Sequence, residues 1–132
     1  MRRLVEEYLR ALLDAVNASP LVRSSSVTLD RRTLQSGLVR GELVFADGSC
    51  LYFRELIEAR ERIIKRMYSY HYQRADEVMV FRYDDTPHFP SLGGFPYHKH
   101  IGTEGNVAET EPPALSDILG EIEAMYPVSD IA

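Results

Sequence analysis

Between residues 22 and 84 the chain offers five segments suited to β-strands, with only short turns between them. Residues 22–33 are rich in Ser, Thr and Val, and 38–45, 49–59, 63–74 and 78–84 follow, with β-branched and aromatic residues throughout. The separators are Gln35-Ser36-Gly37, Ala46-Asp47-Gly48, Arg60-Glu61-Arg62 and Ala75-Asp76-Glu77. Asp-Gly is a strong hairpin marker, because both residues tolerate the positive φ of a tight turn. A parallel connection needs a crossover of a dozen or more residues, usually a helix. No separator has that length, so the strands are predicted to run antiparallel, each joined to the next by a hairpin.

Helical patterning flanks this block. Leu4, Val5, Tyr8, Leu9, Leu12, Leu13 and Val16 form one apolar stripe over residues 2–17, stopped at Asn17-Ala18-Ser19-Pro20. Leu115, Ile118, Leu119, Ile122, Met125 and Tyr126 form another over 115–126, closed by Pro127. The expected architecture is a single α+β domain spanning residues 1–132. It has an antiparallel meander of about five strands, with the N-terminal and C-terminal helices packed on one face. The other face, with residues 86–111, is expected to form the site. That segment holds Pro87, Pro90, Pro96, Gly93, Gly94, Gly102 and Gly105 and little periodicity, so it reads as a long functional loop.

Composition excludes several classes. The chain is 45% hydrophobic and 27% charged, an ordinary globular balance. No apolar run approaches the ~20 residues of a membrane helix. Acids at Glu6 and Glu7 stand where a signal peptide has its apolar stretch, so a cytoplasmic location is expected. One cysteine, Cys50, excludes an internal disulfide and a Cys-rich zinc site. The net charge of −5 is uneven. Residues 1–66 hold 12 basic against 9 acidic residues, and residues 67–132 hold 3 against 11. Thirteen of the fifteen basic residues are arginine, whose planar fork suits phosphate or carboxylate.

All four histidines fall between positions 71 and 100. Strand alternation puts Tyr68, Tyr70 and Tyr72 on one face and Ser69, His71 and Gln73 on the other. Cross-strand aromatic packing beside a hydrogen-bonded histidine explains that pattern without a function. Arg82 shares a face with Asp84, and an Arg–carboxylate pair holding the sheet is one reading. His88, His98 and His100 can be read as divalent-metal ligands of a hydrolase, though no carboxylate at convincing spacing completes the set. The same residue types suit metal-independent RNA cleavage, with no cofactor. His71, His88, His98 and His100 are candidate acids and bases, and Arg82 and Lys99 candidate clamps for the phosphate charge. Tyr70, Tyr72 and Tyr83, together with Phe89 and Tyr97, are candidate platforms for unpaired bases, and Asp84 completes the substrate-binding set.

The order and spacing of Tyr70-His71-Tyr72-Gln73, Phe81-Arg82-Tyr83-Asp84, Pro87-His88, Phe95-Pro96-Tyr97-His98-Lys99-His100 and Glu111-Pro112 resemble the TumE-type toxins of prokaryotic toxin–antitoxin modules. The resemblance covers roughly residues 50–123. Tyr97 and Asp85 stand where that pattern often has histidine and asparagine. This weakens a three- or four-histidine metal set more than an acid–base one. The resemblance implies a small toxin partnered by a helix-turn-helix antitoxin from an adjacent gene. The residue cluster makes RNA the expected substrate, no membrane association is expected, and a homo-oligomer stays open. The alternative of a different class is a non-catalytic protein that holds an anion or a partner through this cluster. Residues 101–132 carry seven acids and no Lys or Arg. Their helix face reads as solvated or as a receiver for a basic partner, with Glu121 and Glu123 outside the apolar stripe.

Overall fold

A computed structural model describes residues 2–85, 98–102, 107–109 and 112–126. The elements in chain order are α1 (Arg2–Ala18), β1 (Val22–Arg31), β2 (Ser36–Phe45), β3 (Cys50–Ala59), β4 (Ile63–Gln73), β5 (Met79–Asp84), β6 (His98–Ile101), β7 (Val107–Glu109) and α2 (Leu115–Ala124). The strands form one antiparallel sheet in the order β1-β2-β3-β4-β5-β6-β7, a simple meander. The α+β expectation holds, with seven strands rather than about five. The two additional strands lie inside the segment read as loop. They are four and three residues long and carry no apolar alternation of their own. They exist because β5 offers an edge for β6, and β6 for β7.

Alternation divides the sheet into two unlike faces. On one face the cross-strand rows run Ser25–Leu43–Leu51–Tyr72–Phe81 and Val27–Gly41–Phe53–Tyr70–Tyr83–Lys99. A third row runs Leu29–Val39–Glu55–Tyr68. Both helices cover this face. Helix α1 buries Val5, Leu12 and Val16, and α2 buries Leu115, Ile118, Leu119 and Ile122, the greater part of the stripes the sequence marks out, while Leu13 and Met125 of those stripes face outward and are exposed. Helix α1 meets β1, β3, β4 and α2. Asp117, in the first turn of α2, accepts a hydrogen bond from the Ala114 amide at 2.9 Å, which satisfies a donor the helix leaves open. Among the described residues no helix is long and apolar enough to cross a membrane.

Gly48 closes the Ala46-Asp47-Gly48 hairpin at φ 84°, the left-handed region that glycine enters without steric cost. Gly41 serves a different need. The Phe53 ring crosses over it, and a Cβ added there would lie 2.0 Å from a ring carbon. Gly41→Ala is therefore expected to cost about 1–3 kcal/mol through overpacking. The thermal midpoint should fall by roughly 5–15 °C. A midpoint unchanged from wild type would mean that the Phe53 ring swings aside at no cost.

Candidate functional site

Among the described residues, no helix lies on the opposite face. Its central row runs Ser26–Glu42–Tyr52–His71–Arg82–His100. The next row along the strands runs Thr28–Arg40–Arg54–Ser69–Asp84–His98 by backbone register. A third runs Asp30–Leu38–Leu56–Met67. Residues from six strands thus meet on one surface because the meander sets each hairpin beside the last.

Arg40 and Arg54 face each other directly across β2 and β3. Both are exposed, and neither has a hydrogen-bond or ion-pair partner among the described residues. Like charges directly opposite in a sheet destabilise it. Arg82 is held differently. Its Nε lies 3.1 Å from Asp84 Oδ2, and the same oxygen lies 3.7 Å from His100 Nε2. Asp84 and His100 are buried, so this carboxylate fixes two neighbours from beneath the surface. His71 is half-buried, with Nε2 3.1 Å from Gln73 Oε1 and its ring centroid 6.5 Å from that of Tyr52.

Two concavities of about 460 Å³ each open on this face. One is lined by Arg40, Tyr52 and His71, and the other by Leu38, Leu56 and Met67. They share Arg54, Ser69 and Arg82.

Of the residues singled out by sequence, His71, Arg82, Asp84 and His100 come together here. Lys99 does not. It lies on the helix-covered face, where Nζ bonds Glu121 of α2 and sits 4.9 Å from the centroid of the Tyr83 ring. Burial opposes its charge, but the bonds to Glu121 and Tyr83 outweigh that and hold the ammonium above its ordinary range. Tyr70, Tyr72 and Tyr83 also lie on the covered face. Tyr70 stacks on Phe53 and Tyr72 packs at a tilt against Phe81 in the core, and the Tyr83 hydroxyl donates to Glu121 at 2.6 Å. Their rings are packing surface, out of reach of a base on the open face. Among the described residues, the exposed aromatic there is Tyr52 instead. Glu121 is equally committed, since it accepts from Tyr83 and Lys99, so it is not a free acid awaiting a partner.

His88 and the side chain of His98 fall outside the described residues, as do Phe89 and Tyr97. Among the described residues no group of three His, Cys, Asp or Glu stands close enough to hold a metal ion.

Sequence reasoning passed over Arg40, Arg54, Ser69 and Tyr52. Alternation in β3 does put Tyr52 and Arg54 opposite Leu51, Phe53 and Ile57. What it lacks is the register that sets them beside His71.

A second polar cluster lies on the covered side. Glu55 is buried and accepts hydrogen bonds from the hydroxyls of Tyr8 and Tyr70. Lys65 Nζ lies 3.6 Å from it and donates to the Pro113 carbonyl at 2.8 Å. Burial first, and then the Glu55 carboxylate, push both phenols well above the ordinary tyrosine range. Burial pulls the Lys65 ammonium down, against the attraction of Glu55. This cluster joins α1, β3, β4 and the approach to α2.

Fold and site together define a small α+β protein whose sheet is packed on one face and bears arginine and histidine on the other. A family profile described as Toxin TumE matches residues 9–126, a span that takes in every strand and all of α2. The chain belongs to the TumE toxin family and is thus the toxin of a toxin–antitoxin module, which implies an antitoxin partner. It matches no curated protein and no solved structure.

Proposed function

We propose that this toxin acts on RNA through the open face of its sheet, by acid–base chemistry that needs no metal. The observation that carries the reading is the Arg40–Arg54 pair, two arginines set opposite each other with no carboxylate from the described residues paired to either. Such a pair costs stability unless an anion sits on it, and a guanidinium fork matches the oxygens of a phosphate. Arg82, in the next row and on an adjoining strand pair, adds a third cation to the same surface.

His71 stands beside these cations, and an imidazole can both accept and donate a proton. In the proposed reaction it takes the proton of the 2′-hydroxyl. That oxygen attacks phosphorus, the bond to the 5′-oxygen breaks, and the imidazolium returns the proton to the leaving 5′-oxygen. The products are a 2′,3′-cyclic phosphate and a 5′-hydroxyl end. Arg40, Arg54 and Arg82 stabilise the charge that builds on the phosphoryl oxygens. Asp84 holds Arg82 in place, and buried His100 acts through Asp84 as a positioning residue.

The antitoxin is proposed to be the helix-turn-helix product of an adjacent gene, and the setting to be the cytoplasm. Induced expression without that gene is expected to arrest growth and to leave RNA fragments ending in cyclic phosphate. Co-expression of the neighbour should restore growth, and activity of the purified toxin should survive EDTA. His71→Ala should abolish the fragments in folded protein. Growth unaffected by folded wild-type toxin would overturn the proposal, as would fragmentation that stops on chelation.

A further inference from the structure

The open face of an antiparallel sheet that meets only water is ordinarily polar. Here one row breaks that rule. Leu38, Leu56 and Met67 lie side by side on it, and Met67 is 59% exposed. Two rows away Tyr52 presents a ring that is 39% exposed, against His71. Arg54 and Ser69, in the row between, and Arg82, in the row of Tyr52, form a ridge common to both concavities.

On the reading that this face acts on RNA, we infer that the site takes one phosphodiester step of a single strand. The phosphate rests on the Arg54–Ser69–Arg82 ridge. One base stacks on Tyr52, and the other lies on Met67 with Leu38 and Leu56. The volumes agree, since each concavity of about 460 Å³ falls within the range of small-ligand pockets. The spacing agrees as well. Tyr52 and Leu56 are four residues apart on β3, about 13 Å at strand rise. Bases stacked in a duplex rise only about 3.4 Å per step along each strand. A helix therefore cannot place neighbouring bases in both concavities, and an unstacked strand can. The two walls also differ in kind. Tyr52 offers a flat ring that suits any base. Methionine offers a polarisable, adaptable contact.

The test is titration calorimetry with uncleavable 2′-O-methyl probes: adenosine 5′-monophosphate, the dinucleotide ApA, and a twelve-base-pair duplex. The mononucleotide carries more charge than the dinucleotide, so a purely electrostatic face favours the former. We expect the dinucleotide to bind at least about tenfold tighter, within the roughly 5- to 150-fold worth of one stacked base. Tyr52→Leu and Met67→Ser should each remove that advantage. Both side chains are exposed, so their melting curves should superimpose on wild type. The duplex should bind no better than the mononucleotide, per site. If dinucleotide and mononucleotide bind equally, the two-base site is wrong while the anion site stands. If none of the probes binds, the RNA reading falls with it. If Met67→Ser leaves dinucleotide affinity intact and instead weakens antitoxin binding, the second concavity belongs to the protein partner and the inference is overturned.

Discussion

The double variant Arg40→Ser/Arg54→Ser is expected to lose 10²- to 10⁴-fold of its activity on RNA while its fold becomes slightly more stable. The two effects have opposite signs because one feature causes both. In the free protein the guanidinium groups face each other across β2 and β3, without a carboxylate from the described residues to separate them. Relieving a like-charge cross-strand pair is worth about 0.2–1 kcal/mol. With substrate bound, each arginine makes charge-assisted bonds to phosphate worth about 1.5–3 kcal/mol. Two of them lost together account for the predicted range. Thermal melts and a turnover assay on the same preparation provide the check. A destabilised variant would assign these arginines a structural role. A more stable variant of unchanged activity would move the phosphate elsewhere on the face. Arg82→Ser should behave differently, because it strips a partner from buried Asp84 and so costs stability as well as activity.

That contrast bears on what the sequence makes legible. The five long strands and both helices follow from signals within each segment: alternation, turn residues, and stripes that recur at helical spacing. Strands β6 and β7 follow from no such signal. His98–Ile101 and Val107–Glu109 are short and mostly polar, and they are ordered by the neighbour they pair with. The site divides in the same way. His71, Arg82, Asp84 and His100 stand out because they crowd one stretch of sequence. Arg40 and Arg54 stand far upstream, and only register through β3 and β4 carries them to His71. Alternation separates Tyr70 and Tyr72 from His71, but it does not say which face the helices take. The decisive fact is that Tyr72 is in register with Leu51, and Tyr70 with Phe53, so the tyrosines fall on the apolar side. Lys99 follows the same rule through its pairing with Tyr83.

Lys65→Met is expected to destabilise the protein by about 3 kcal/mol without touching the chemistry of the open face. Glu55 is buried, and its carboxylate is held by two tyrosine hydroxyls and the Lys65 ammonium. Methionine keeps most of the lysine's apolar stem and removes the charge. The carboxylate then stays buried with hydroxyl donors alone. Breaking a buried pair from one side typically costs about 3–5 kcal/mol. The lower end applies because the Lys65 side chain keeps 19% exposure, which screens part of the attraction. The lost bond to the Pro113 carbonyl loosens the approach to α2 as well. A fall in midpoint of roughly 10–15 °C should result. Removing the whole cluster should recover much of the loss. Lys65→Met, Glu55→Leu, Tyr8→Phe and Tyr70→Phe combined leave no charge and no hydroxyl without a partner, and apolar replacement of a buried ionic group is often neutral or stabilising. Well below its midpoint, the single variant should bind the RNA probes with wild-type affinity, because Lys65 and Glu55 lie on the helix side of the sheet and the Arg40–Arg54 pair on the other. If binding falls at a temperature where the variant is fully folded, the two faces are coupled through β3 and β4, and the covered cluster helps to set the shape of the site above it.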